Sequence, residues 1–171
     1  MDSIMPRFKY CPMCATPLVE QDIYHGLRLT CPDCGFINFL EPKVVAVIVI
    51  EDEDKILLGK RNIDPGMGRW SFVSGYVERG EKLEEAAIRE VKEETNLDVR
   101  LERLIGIYSE RDNPHIVIAF AASITNNNTN EIVAQPDEVS ELAFFALDRI
   151  PTLAFPTDTT ILQALRQQAG H

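Results

Sequence analysis

The chain lacks any long apolar run and any start typical of a secreted protein. Its longest uninterrupted apolar stretch, Val44–Ile50, is far shorter than the roughly 20 residues that a membrane-spanning helix requires. The first residues, Met1-Asp2-Ser3-Ile4, show neither the basic start nor the apolar core of a secretion signal. We therefore expect a cytoplasmic protein that does not act at a membrane.

Basic residues are also scarce. Lysine and arginine number 17 against 27 aspartates and glutamates, which gives a formal net charge of −10 at pH 7. A nucleic-acid-binding surface needs basic side chains to replace the counterions of the phosphate backbone, so no nucleic-acid partner is expected. A small phosphorylated substrate is compatible with this charge if carboxylates hold divalent cations that reverse its sign locally.

Cysteine is confined to two pairs near the amino terminus, Cys11/Cys14 and Cys31/Cys34. Two residues separate the members of each pair and sixteen residues separate the pairs, a spacing typical of a four-thiolate zinc site. Two disulfides are the alternative for a secreted chain, and a redox-active dithiol would leave the second pair unexplained. The spacing predicts a structural zinc ribbon over residues 1–40, in which four protein ligands leave the ion no open position.

The remaining residues, 41–171, alternate between strand and helix patterns. The residue patterns predict a mixed-sheet α/β domain with helices packed on the faces of the sheet. The predicted strands cover 43–50, 55–60, 69–74, 101–108, 115–124 and 140–146, with helices over 81–95 and 157–168 and a polar turn over 126–130.

The segment from Gly75 to Leu97 carries the most informative pattern. On a helical wheel, Leu83, Ala87 and Val91 form an apolar stripe, which Ile88 extends. Beside this stripe lie three glutamates at positions i, i+3 and i+4, namely Glu90, Glu93 and Glu94. Carboxylates at this spacing repel one another unless a cation lies between them. An all-oxygen cluster of this kind suits Mg²⁺ or Mn²⁺.

The longer pattern resembles the Nudix box. It consists of Gly75, then Glu81, then Arg89-Glu90, an aliphatic residue, and Glu93-Glu94. The box usually has a glycine where this chain has Asn96; asparagine also adopts the left-handed conformation expected after a helix end. The resemblance implies a Nudix α/β/α sandwich and hydrolysis of phosphoric anhydrides.

The resemblance also implies roles for individual residues. It makes Glu90, Glu93, Glu94 and the backbone carbonyl of Ser74 the ligands of catalytic Mg²⁺ or Mn²⁺. It gives Glu81 and Arg89 the task of supporting the loop and orienting the glutamates. The general base is left open among four carboxylates, two inside the box and two later in the chain: Glu90, Glu94, Glu138 and Glu141.

Substrate contacts are expected from Arg61 and Arg69, which flank the loop before the box, from Glu138 and Glu141, and from Phe155 before the last helix. If these residues make no substrate contact, Arg61 and Arg69 are ordinary surface arginines, Glu138 and Glu141 are ordinary charged loop residues, and Phe155 belongs to a helix cap.

Two subgroups that carry a zinc ribbon resemble this chain. NADH pyrophosphatases have a Ser-Gln-Pro-Trp-Pro-Phe-Pro motif after the box, which residues 98–171 do not match. Enzymes acting on ADP-ribose and FAD are more similar, through the second cysteine pair with Gly35-Phe36-Ile37, Pro42–Val45, Pro114–Ile116 and Leu153–Pro156. The resemblance therefore implies cleavage of a nucleoside diphosphate linked to another group, giving a nucleoside monophosphate and a phosphorylated partner.

Other functions remain as alternatives. They are an NADH pyrophosphatase, an enzyme that removes unwanted nucleoside triphosphates, and a non-catalytic nucleotide sensor. The complete set of box carboxylates argues against the sensor. The sequence leaves the oligomeric state open, with a homodimer as one option.

Overall fold

The computed structural model describes residues 8–111, 113–125 and 132–169. Contacts between residues divide the chain into two units, Met1–Glu41 and Pro42–His171, and each is described by itself. The predicted polar turn over 126–130 lies outside the described residues. Within the described chain, neither helix is long and apolar enough to span a bilayer.

The first unit is a small antiparallel sheet with the order β1-β2-β3. Its strands are β1 (Val19–Ile23), β2 (Gly26–Thr30) and β3 (Ile37–Asn38). Tyr24 and His25, which connect β1 to β2, both have positive φ angles, 52° and 63°. Two residues with positive φ are typical of the tight turns that join hairpin strands.

The second unit is built on a mixed sheet with two helices. Its elements are β4 (Lys43–Asp52), β5 (Lys55–Arg61), β6 (Trp70–Ser71), β7 (Val73–Tyr76), α1 (Leu83–Thr95), β8 (Val99–Ser109), β9 (His115–Ile124), β10 (Val139–Ala146) and α2 (Pro156–Ala169). The strand order is β10-β5-β4-β9-β8. Strand β4 runs parallel to β9, while β6 pairs with β5 and β7 pairs with β4, both antiparallel.

Strand β4 separates two apolar cores. Alternate side chains of a strand point to opposite faces of the sheet. Ala46, Ile48 and Ile50 accordingly pack with Ala87 and Val91 of α1. On the other face, Val47 and Val49 pack with a second set that includes residues of α2, namely Ile161, Leu162 and Leu165. Burial on both faces accounts for the uninterrupted apolar run, and the predicted mixed-sheet sandwich is confirmed.

Helix α1 orients the acidic box residues. Ala87 and Val91 are fully buried, as the predicted stripe requires, whereas Ile88 is 42% exposed and does not extend it. Ala86, one position before the stripe, is buried in its place. The helix ends at Thr95 and is capped by Asn96, which has a φ of 61° and whose backbone N–H donates to the carbonyl of Lys92. The predicted left-handed asparagine is therefore present.

Candidate active site and cysteine cluster

Gly75 and Glu90 lie in unusually close contact. Strand β7 runs beside α1, and a Cβ atom built at position 75 would lie 1.9 Å from Cδ of Glu90 and 2.0 Å from its Oε1. No side chain fits in that space, because unbonded carbon atoms prefer separations of about 3.5–4.0 Å. The glycine is therefore required for room rather than for an unusual φ angle, and it lets α1 place a carboxylate directly against the sheet.

Arg89 is the centre of a hydrogen-bond network that holds three glutamates. Its Nε and Nη2 donate to the two oxygens of Glu81 at 2.8 and 3.0 Å. Its Nη1 donates to Glu90 at 2.7 Å and to Glu93 at 3.0 Å. Nη2 also donates to the carbonyl of Tyr76 at 3.2 Å, which ties the network to β7. The hydrogen bonds from Arg89 lower the pKa of Glu81, so this carboxylate stays charged and anchors the arginine.

The three predicted metal-binding glutamates line one cavity of about 260 Å³, together with Gln135 and Glu138. Burial raises the pKa of Glu90, even though Arg89 opposes the shift. Burial also raises the pKa of Glu94 to about 8, with further contributions from the charges of Glu90 and Glu138. The side chains of Glu90 and Glu93 are 14% and 55% exposed, so the cluster reaches from a covered wall to solvent. Two carboxylates that resist ionisation beside one cavity, those of Glu90 and Glu94, are what a divalent cation would stabilise.

Ser74 contacts this cluster through its backbone. A backbone hydrogen bond from Ser74 to Glu94 favours the charged carboxylate, as does the nearby charge of Arg61. Ser74 lies opposite Val47 in the pairing of β7 with β4. The residue predicted to offer a carbonyl ligand is thus adjacent to the acidic residues.

The structure places Glu138 and Glu141 in different surroundings, although no feature of the sequence favours either as a site residue. Glu138 faces the acidic cavity. Glu141 lies in β10 beside β5, where it pairs with Lys60 at 3.4 Å. A register irregularity between Val139 and Glu141 accompanies this division. Sequence spacing alone could not distinguish the two positions, because the local strand geometry decides which one faces the cavity.

A second cavity, of about 370 Å³, adjoins the same backbone, since Ser74 and Gly75 form part of its wall. Of the predicted substrate residues, Arg61 and Phe155 line it, with the guanidinium 4.9 Å from the centre of the ring. Arg69 is exposed, and its backbone carbonyl accepts a hydrogen bond from the N–H of Arg61.

Sequence reasoning assigned no substrate contact to three residues that line this second cavity, Tyr76, His115 and Asp158. The hydroxyl of Tyr76 and Nε2 of His115 form a hydrogen bond of 3.1 Å at its wall. Asp158, in the first turn of α2, is only 4% exposed. An aspartate in a first helical turn is common, so nothing in the sequence distinguished this one.

The four cysteines of the first unit form a compact cluster. Their sulfur atoms all lie within 4.8 Å of one another, and none of the four is in a disulfide. Each pair lies in a similar tight turn: the N–H of Ala15 donates to the carbonyl of Cys11, and that of Gly35 to the carbonyl of Cys31. Ala15 and Gly35 both have positive φ, 60° and 74°.

The cluster fits a tetrahedral ion. The Cys11–Cys34 and Cys14–Cys31 sulfur separations are 3.5 and 3.4 Å. Tetrahedral zinc with bonds of about 2.3 Å needs sulfurs about 3.8 Å apart, close to these distances. The arrangement can therefore hold a metal ion with little movement of the chain.

Comparison with known proteins gives the same picture. The sequence profile of the NUDIX domain matches residues 40–165. An ADP-ribose pyrophosphatase from Methanocaldococcus jannaschii is 35% identical over 136 residues, which cover 77% of this chain and 78% of that protein. The NAD-capped RNA hydrolase NudC of Pseudomonas aeruginosa is 31% identical over 147 residues, 85% of this chain but only 50% of NudC. The chain thus spans about half the length of that relative.

Solved structures show the same fold. A NUDIX hydrolase from Nitrosomonas europaea matches with a TM-score of 0.85 at 28% identity, covering 96% of this chain and 94% of that one. An ADP-ribose pyrophosphatase from Streptococcus suis matches with a TM-score of 0.59 at 26% identity, covering 76% of this chain and 95% of that one. With the acidic site and the fold in place, these similarities establish that the chain belongs to the Nudix hydrolase family and is a pyrophosphohydrolase.

Proposed function

We propose that the protein hydrolyses the diphosphate bond of a nucleoside diphosphate joined to a second group, with ADP-ribose as the leading substrate and FAD as a related one. The observation that carries this proposal is the position of Ser74 and Gly75. Both residues line the second cavity, and they also lie against two glutamates of the acidic cavity, Ser74 against Glu94 and Gly75 against Glu90. A substrate that joins a diphosphate to a nucleoside can place one part in each. The relative from Methanocaldococcus jannaschii, named as an ADP-ribose pyrophosphatase, supports this choice.

Glu90, Glu93 and Glu94, with the carbonyl of Ser74, would hold Mg²⁺ or Mn²⁺. The donor set fits because it consists of oxygens only, and because burial and mutual repulsion raise the pKa values of Glu90 and Glu94 when no cation is near. When bound, such an ion neutralises charge on the diphosphate oxygens and lowers the pKa of the attacking water.

The chain's own residues would divide the remaining work. Arg89 holds Glu90 and Glu93 in place, so these carboxylates are positioned before the substrate arrives. Arg89 donates no hydrogen bond to Glu94 or Glu138 among the described contacts. We therefore favour Glu94 or Glu138 as the group that accepts the proton of the attacking water. Glu141 is a poorer candidate because it pairs with Lys60 instead.

We also propose that Cys11, Cys14, Cys31 and Cys34 hold one structural zinc ion. The chain would then consist of a zinc ribbon over residues 1–40 and a Nudix domain over residues 41–171. The sulfur distances support this assignment.

A compound that contains the NAD diphosphate, such as NADH, is a second candidate substrate, because relatives named as NAD-capped RNA hydrolases from several bacteria match most of this chain. Against NAD-capped RNA itself stands the net charge of −10, which disfavours approach of a polyanion. The nucleoside part of NADH and ADP-ribose is the same, so both are consistent with the geometry.

The test is a panel of ADP-ribose, FAD, NADH and deoxynucleoside triphosphates with Mg²⁺ or Mn²⁺, in which products are identified as well as counted. Glu94→Gln should lower kcat by about 100-fold or more, because it removes a charge that faces the cation. Glu84→Gln is the matched control: it makes the same change on the exposed side of the same helix. Near wild-type turnover in a folded Glu94→Gln protein would show that this cluster is not the catalytic metal site.

A further inference from the structure

Asp158 is a carboxyl group without a role in the reaction described so far. It is 4% exposed, it lines the cavity that begins at Ser74 and Gly75, and its Oδ2 accepts a hydrogen bond of 3.3 Å from the N–H of Phe155. Burial raises its pKa to about 7, so the uncharged carboxylic acid is well populated near neutral pH. A carboxylic acid offers one donor and one acceptor side by side.

The surroundings of Asp158 suit a flat apolar group. Val45, Val47, Val117 and Phe155 contribute apolar side chains to the cavity. Its volume of about 370 Å³ lies within the range of small-ligand pockets. A nucleobase has apolar faces and a polar edge, whereas a ribose phosphate is polar on all sides. The cavity therefore favours the base over the sugar phosphate.

Arg61 connects this cavity to the acidic site. Its guanidinium lies over the ring of Phe155 at 4.9 Å and is held by a hydrogen bond of 2.8 Å from Nε to the carbonyl of Pro65. Its charge acts on both Asp158 and Glu94. Both carboxyl groups are thus within electrostatic reach of one arginine, and Ser74 and Gly75 connect this cavity to Glu94 and Glu90.

We propose that Asp158 recognises adenine, by accepting a hydrogen bond from its exocyclic amino group and donating one to its ring nitrogen N7. This inference rests on the proposed function and deepens it, since it names the base of the substrate. Adenine presents a donor beside an acceptor, which a carboxylic acid matches, just as asparagine matches adenine in other recognition surfaces. Guanine presents two acceptors on the corresponding edge, so one of them would face the acceptor oxygen of Asp158.

The experiment compares substrates that differ only in their base. kcat/KM is measured for ADP-ribose and GDP-ribose with the wild type, Asp158→Asn and Asp158→Ala. The wild type should prefer ADP-ribose by about 10-fold or more. Asp158→Asn should keep this preference, because the amide also offers a donor and an acceptor. Asp158→Ala should lose about 10- to 100-fold on ADP-ribose while GDP-ribose changes only a few-fold. Asp148→Asn, at an exposed turn, is the control and should match the wild type.

A binding measurement separates this inference from the proposed function. AMP and GMP are titrated into the same proteins without divalent metal, and AMP should bind more tightly than GMP to the wild type and to Asp158→Asn only. If no nucleoside diphosphate derivative is hydrolysed but the AMP preference follows this pattern, the proposed function fails while the role of Asp158 stands. Equal loss on both bases in Asp158→Ala would reveal a merely structural role and overturn the inference. If Asp158→Ala does not fold, the inference is overturned when either the wild type or Asp158→Asn fails to bind AMP more tightly than GMP.

Discussion

The contact between Gly75 and Glu90 permits a prediction that depends on neither substrate nor metal. In Gly75→Ala the new methyl group would meet the Glu90 carboxylate at about 2 Å, as the three nearest atoms are Cδ, Oε1 and Oε2 at 1.9, 2.0 and 2.2 Å. Either the glutamate must leave its hydrogen bond with Arg89 or β7 must move away from α1. Overpacking of this kind costs about 1–3 kcal/mol of unfolding free energy.

A double-mutant cycle measures directly the destabilisation that comes from the contact between the new methyl group and Glu90. Unfolding in urea is followed for the wild type, Gly75→Ala, Glu90→Ala and the double variant, all in the presence of a chelator. In the Glu90→Ala background the methyl group has room, so Gly75→Ala should cost less than about 0.5 kcal/mol. The coupling energy should therefore be about 1–2 kcal/mol, well above the level expected for independent sites.

Hydrolytic activity gives a second test of the Gly75→Ala variant. Gly75→Ala should lower kcat/KM by about 100-fold, because a displaced carboxylate no longer meets its partners at the required distance. If Gly75→Ala destabilises the protein equally with and without the Glu90 side chain, the glycine serves some other purpose and the reasoning is wrong.

Three further predictions concern stability and metal content. Asp158→Asn should raise the unfolding free energy at pH 8 by up to about 4 kcal/mol relative to the wild type, and should have no such effect below pH 4. The sign follows because burial raises the pKa of Asp158 from 3.8 to about 7, so the wild type loses stability as the pH rises between those values. The prediction is wrong if the difference in unfolding free energy between Asp158→Asn and the wild type stays constant from pH 4 to pH 8. Ala15→Gly should stabilise the first unit against unfolding by up to about 1 kcal/mol, since Ala15 has a φ of 60°, and a loss of stability would exclude strain at this turn. Protein purified without added zinc should contain about one zinc ion per chain by elemental analysis, and disulfides among the four cysteines would contradict this.

Much of the fold and the grouping of the box glutamates around one cavity could be predicted, because both depend on the local spacing of residues in the sequence. The apolar run in β4 is uninterrupted since both of its faces are buried. The glutamates of α1 share one side of the helix because positions i, i+3 and i+4 are neighbours there. Their common cavity follows from that arc.

The residues that line the second cavity could not be predicted from local sequence spacing. Asp158 comes from α2 and Val45 from β4, and only the folded sheet brings these distant positions to one cavity. Glu138 and Glu141 are three residues apart in a segment whose register changes between them. Ile88 looked apolar enough to belong to the helix stripe, yet the packed face turns toward Ala86 instead. In each case long-range packing, rather than local pattern, decides the outcome.

The negative charge of the acidic cavity is the reason to expect that a cation is needed for an anionic substrate to bind. Arg89 contacts three of the box glutamates, but its donors are already bound to Glu81, Glu90, Glu93 and the carbonyl of Tyr76. It therefore organises the carboxylates and has little capacity left for a substrate phosphate. Arg61 offers charge from the other side but is itself tied to Pro65. An anionic diphosphate approaching the acidic cavity would meet net repulsion, and the proposed divalent cation would reverse the local sign so that the substrate could bind.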